Sequence, residues 1–131
     1  MIDHISTYAT DYIKTKGFYE VVFSALGYTL QTEFKVDDDE NKSSNHICAF
    51  GQAGKSTFWV IETNRNYTPR HLAFVATSRA AVDEFYKLAL KSGGLDNGAP
   101  CLRPAYHEHY YGAFVIDPDG NDIEAVFHDR E

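Results

Sequence analysis

The chain has 131 residues, a formal net charge of −7 and a pI near 5.3, which fits one compact domain or two small modules sharing a core. Phosphate repulsion over most of such a surface speaks against a nucleic-acid partner, although a local basic pocket for a small anion stays open. An apolar fraction of 44% with nine Tyr and nine Phe supplies the buried surface that disordered chains lack, and no run approaches the roughly 20 apolar residues of a membrane span.

The chain opens MIDHIS, with no basic segment leading into an apolar run, so a cytoplasmic protein without a secretory leader is expected. The sequons at Asn41 and Asn66 are then chance matches, and Cys48 and Cys101 are expected as reduced thiols. A β-like stretch carrying His4 leads into a helix capped by Asp11 and stopped at Leu26-Gly27. Gly17 weakens that helix by about 1 kcal/mol relative to Ala. β-like segments follow at Tyr28 to Phe34, Asn45 to Gly51 and Ser56 to Glu62, the first two separated by the polar loop VDDDENKSSN. The acidic run Asp37-Asp38-Asp39-Glu40 in it lacks the spacing and glycine of a calcium loop. GQAGKS looks superficially like a phosphate loop. Ala49 stands where that motif needs glycine and a strand follows, so it reads as a hairpin turn.

In the second half, His71 to Thr77 alternates His/Ala/Val with Leu/Phe/Ala, a pattern that suits a strand buried on both faces. Ser78 caps a helix whose apolar positions are Ala81, Val82, Phe85, Leu88 and Ala89, and Gly93-Gly94 permits a left-handed end. β-like segments then run from Ala99 to Ala105, Tyr110 to Ile116 and Asp122 to His128, the last two joined by a DPDGN turn at Asp117 to Asn121.

One half slides onto the other: His4 falls on His71, Thr10 on Thr77, Phe18 on Phe85, Tyr19 on Tyr86 and Gly27 on Gly94. A repeat of half the chain implies two equivalent units, neither able to bury its own face. The reading is an α+β fold of two paired βαβββ modules, about 1–64 and 65–131, forming an open, barrel-like mixed sheet with a central cleft and helices outside.

The paired modules, the His that opens each copy and the ending FVIDPDGNDIEAVFH together resemble the vicinal-oxygen-chelate superfamily of glyoxalases, bleomycin-resistance proteins and dioxygenases, and the stretch RPAYHEHYYGAFV resembles its small glyoxalase-like members. The resemblance covers essentially the whole chain. It implies a divalent metal (Zn, Ni, Fe, Mn or Co) held by His4, His71 and Glu124, with positions left for a bidentate oxygen ligand. The residues agree with this. The two His occupy equivalent repeat positions, and a charge among the apolar neighbours of Glu124 needs a cation or hydrogen-bond partner. Glyoxalase I has a fourth ligand on the last strand of its first module, which falls here at Phe58 or Trp59. Neither can ligate, and Glu62 would need a register shift.

Around this set, Tyr106, His107, Tyr110 and Tyr111 are candidate proton carriers or oxyanion donors, with Glu124, His107, Tyr110 and Tyr111 expected to share the chemistry. Trp59, Arg103 and Tyr106 are candidate substrate-lining residues. The expected partner is a small molecule with vicinal oxygens, acted on by an isomerase, lyase or dioxygenase-like reaction, in a chain that can form homodimers. The competing expectation is a protein that sequesters a drug or metabolite, as bleomycin-resistance proteins do.

Overall fold

The structure, a computed structural model, describes residues 1–38 and 43–131. Ten elements follow in the order expected: β1 Ile5–Ala9, α1 Tyr12–Ser24, β2 Thr29–Asp38, β3 Ser43–Gly51, β4 Phe58–Glu62, β5 His71–Val75, α2 Arg79–Lys91, β6 Leu95–Leu102, β7 Tyr111–Ile116 and β8 Asp122–Phe127. β2 and β3 run into the segment expected as a polar loop, whose centre, with Asp39, Glu40 and Asn41, lies outside the described residues.

The two helices carry the same capping devices. Asp11 accepts from Lys14 N (3.3 Å) and Ser78 from Ala81 N (3.0 Å), each satisfying an orphan donor of the first turn. At the other ends, Tyr28 N reaches Phe23 O (3.0 Å) and Gly94 N reaches Ala89 O (2.8 Å), with Gly27 (φ 77°) and Gly93 (φ 95°) left-handed. Both are Schellman closures. Gly94 has a further reason to lack a side chain, because a Cβ there would stand 2.6 Å from Val115 and 3.1 Å from Phe18 of α1.

Each module folds its strands into a four-stranded mixed sheet, ordered β1-β4-β3-β2 and β5-β8-β7-β6, with β1–β4 and β5–β8 parallel. The sheets stay open and curved, with β1 and β2 at the edges of the first and β5 and β6 at the edges of the second. Their helix-side faces meet in one core, where Phe74 packs edge-on against Phe23 (4.9 Å) and Phe58 (5.3 Å). A buried polar network also ties module 2 to module 1. Asp117 of the DPDGN turn accepts from Tyr19 Oη and from Asn121 Nδ2 (2.8 Å), which also donates to Thr7 (3.2 Å). Asp119 accepts from Thr15 (2.6 Å).

One expectation is corrected. β5 is not buried on both faces, since Leu72 is buried but His71, Ala73 and Val75 are exposed, Val75 at 64%. The opposite face of the first sheet is likewise open, with Phe34, Val36 and Tyr8 exposed.

Candidate active site

The parallel register places Asp122 beside His71 and Glu124 beside Ala73, so His71, Asp122 and Glu124 share the outward face of the second sheet. His71 Nδ1 lies 3.2 Å from Asp122 O and 3.1 Å from Asp122 Oδ2. Both are acceptors, so Nδ1 carries the proton. Nε2 lies 3.3 Å from Glu124 Oε1. Two electron-rich atoms at that distance repel unless a proton or a metal cation stands between them, so this donor pair fits a cation.

Glu124 is 2% exposed. Its other oxygen, Oε2, accepts a short hydrogen bond from the Tyr110 hydroxyl. Burial first, and then the carboxylate, hold the Tyr110 hydroxyl well above the ordinary phenol range, so it stays a donor. Gly112 makes room for this pair: a Cβ there would come within 3.2 Å of Glu124 Oε2 and 3.1 Å of the Tyr110 ring. Phe114 lies parallel to His71 (6.0 Å, 27°) and carries the Arg103 guanidinium 4.8 Å from its centroid.

β6 ends at Leu102, earlier than expected, so residues 103–110 form a loop closed by Arg103 N to Tyr110 O (2.7 Å). His107 Nδ1 accepts from His109 N (3.2 Å), which leaves the ring proton on Nε2, 2.5 Å from His128 Nδ1. Tyr110 packs edge-on between these two rings (5.3 and 5.1 Å), and Tyr106 flanks it at 5.0 Å.

Other expected residues lie elsewhere. Tyr111 points to the helix side, where its hydroxyl bonds Asp83 (2.6 Å) under Arg79, so it stands apart from Glu124. His4 pairs with the adjacent Asp3 (2.7 Å) and meets the Trp59 ring at 6.4 Å. Neither His4 nor Trp59 contacts His71 or Glu124, and no group of three potential metal ligands occurs among the described residues. Glu62 is engaged by His46 (3.1 Å). A groove of about 670 Å³ runs along β5 from His71 to Val75, with Ile2, Ile5 and Phe58 opposite. Asp122, Gly112 and His128 are the site residues that sequence reasoning missed. The first could have been found from its spacing, two residues before Glu124 on an alternating strand.

Among the described residues no helix is long and apolar enough to cross a membrane. No curated protein matches the chain. Solved structures do, and they share the fold. A glyoxalase/bleomycin resistance protein from Albidiferax ferrireducens is 23% identical, with a TM-score of 0.72 over 96% of this chain and 98% of that one. A glyoxylase/bleomycin resistance protein/dioxygenase domain from a Frankia species is 15% identical, also at 0.72, over 98% of each. A glyoxalase I mutant from Zea mays is 20% identical, at 0.67, over 94% of this chain but 45% of its own length. The family model of the Glyoxalase/Bleomycin resistance protein/Dioxygenase superfamily matches residues 1–125, and the chain belongs to that superfamily.

Proposed function

We propose that the protein is a divalent-metal-dependent enzyme acting on a small molecule with vicinal oxygens, its site completed by a second copy of the chain. The observation that carries this reading is His71 Nε2 facing the buried Glu124 carboxylate at 3.3 Å, with Asp122 holding the other ring nitrogen. His71 and Glu124 hold the metal (Zn, Ni, Fe, Mn or Co), Asp122 orients the imidazole, and Tyr110 fixes the carboxylate. The bound ion supplies Lewis-acid polarisation of two neighbouring oxygens. His107, hydrogen-bonded to His128 and packed edge-on against Tyr110, is the proposed proton carrier. Such a site suits isomerase, lyase or dioxygenase-like chemistry.

His4 is the third ligand, supplied by the second copy. Two features support the homodimer: the free edges of β1 and β5, and the exposed apolar face around Phe34, Val36 and Tyr8. On this reading the first sheet of one copy lies beside the second sheet of the other, and Trp59 and Tyr106 wall the cleft. The experiment is complementation. His4→Ala and His71→Ala variants each lose the metal alone, and refolding them together restores one intact site per mixed dimer. No recovery on mixing would sink the shared site.

A second reading is a protein that sequesters its small molecule without turnover. The position of His4, apart from the His71–Glu124 pair, favours it. Stoichiometric binding of an aromatic ligand to metal-stripped protein would decide for it.

A further inference from the structure

We propose that the small molecule taken by this cleft carries an oxyanion, a carboxylate or a phosphate or phosphonate group, besides its vicinal oxygens, and that Arg103 binds it. The inference rests on the cleft proposed above and adds the class of substrate.

Four features of Arg103 carry it. The guanidinium carbon lies over the Phe114 ring, 4.8 Å from its centroid, and the neighbour of that ring on the same face is His71, so the cation stands one aromatic ring away from the proposed ligands. Its position is fixed by two backbone carbonyls: Nε donates to Gly112 O (3.3 Å) and Nη2 to Ala99 O (2.8 Å). Those bonds use two of the five N–H donors of a guanidinium. Among the described residues the other three, including both on Nη1, meet no acceptor, and no acidic side chain pairs with this arginine. Space has also been cleared for it. Gly98 adopts φ +149°, and a Cβ there would stand 3.0 Å from Arg103 Nη2 and 3.1 Å from Phe114.

Charge gives the arrangement its sense. The chain carries a net −7, and this face already holds Asp122 and Glu124, so an unpaired anion approaching it would be repelled. A guanidinium set over an aromatic ring and bonded to two carbonyls has less entropy to lose than a free one, and its planar fork matches the geometry of an oxyanion.

The test is titration calorimetry on zinc-loaded protein with three hydroxamates that share one chelating head. Acetohydroxamate has no second charge, the monohydroxamate of succinic acid adds a carboxylate, and phosphonoacetohydroxamate adds a phosphonate. The acidic probes are expected to bind the wild type roughly 10- to 100-fold tighter than acetohydroxamate, the range of a hydrogen bond to a charged group. Arg103→Met removes that gain and Arg103→Lys keeps part of it, while acetohydroxamate binds all three proteins alike. The wild type gives a readout that needs no variant: the acidic gain shrinks with added salt and acetohydroxamate affinity does not. Whichever acidic probe shows the larger gain identifies the oxyanion. Acidic probes that bind no tighter, or a gain that survives in Arg103→Met, overturn the proposal. Arg103-dependent binding of the acidic probes without any binding of acetohydroxamate leaves this proposal standing and sinks the metal reading alone.

Discussion

Trp59 and Glu124 occupy equivalent places in the two modules and have opposite chemistry. The repeat puts Ser6 on Ala73, and the strand registers pair Ser6 with Trp59 and Ala73 with Glu124. In module 2 the position holds a buried carboxylate served by Tyr110 and facing His71. In module 1 it holds an indole whose Nε1 is buried without a partner among the described residues, on a face lined by Phe34 and continued by Val36. One backbone register therefore supports either an ionisable centre or an apolar wall. What decides is whether neighbours such as Tyr110, Gly112 and His71 satisfy and accommodate the charge.

The strongest way to break the contrast is to neutralise Glu124. Glu124→Gln keeps a hydrogen-bond acceptor for Tyr110 and should weaken metal binding by more than about 100-fold, since even groups behind the ligands shift affinity by 10- to 100-fold. Metal-free stability should change little, so a large drop in its melting temperature would show a structural role instead. Gly112→Ala should destabilise by about 1–3 kcal/mol through overpacking against Glu124 and Tyr110, with weaker metal binding. Chemical denaturation with and without metal measures both, and a silent substitution would mean that the face is looser than the distances state.

Adjacent tyrosines sharpen the contrast between faces. Tyr111 is pushed up from 10.0 to about 12, by burial first and then by Asp83. Its folded-state value is raised, so its stabilisation is complete below pH 10 and is lost as pH rises towards about 12. Tyr111→Phe should flatten the fall of melting temperature across that window and leave metal affinity unchanged. Tyr110→Phe should lower metal affinity, and equal effects of the two on metal would contradict the assignment of faces. The smallest expected effect is in α1. Gly17 has nothing within 4 Å of an added Cβ, and it stands where module 2 has Glu84. Gly17→Ala should stabilise by about 0.5–1 kcal/mol, measured as a raised denaturation midpoint without change in metal binding.

The repeat, the helix caps and the order of strands were legible because each has a local cause: Asp11 and Ser78 precede apolar-periodic runs, and glycines follow them. Glu124 was legible as a charge flanked by Ile123 and Ala125 in a largely apolar strand. Asp122 and Gly112 were harder, since their roles come from pairing across β5, β7 and β8, which a linear reading does not contain. Tyr110 and Tyr111 are one residue apart, and alternation alone could not say which faced Glu124. The loop after β6 holds Tyr110 inward through Arg103. The alternation of β5 suggested two-sided burial, whereas one of its faces is open within the chain.

The most direct test of the central claim is metal content by mass spectrometry, on protein purified without added metal, for wild type, His71→Ala, Glu124→Gln and Tyr111→Phe. Near-stoichiometric metal is expected in the wild type and Tyr111→Phe, and its loss in the other two. A wild type that takes up none of Zn, Ni, Fe, Mn or Co after reconstitution, or a Glu124→Gln variant that retains full metal, would contradict that claim.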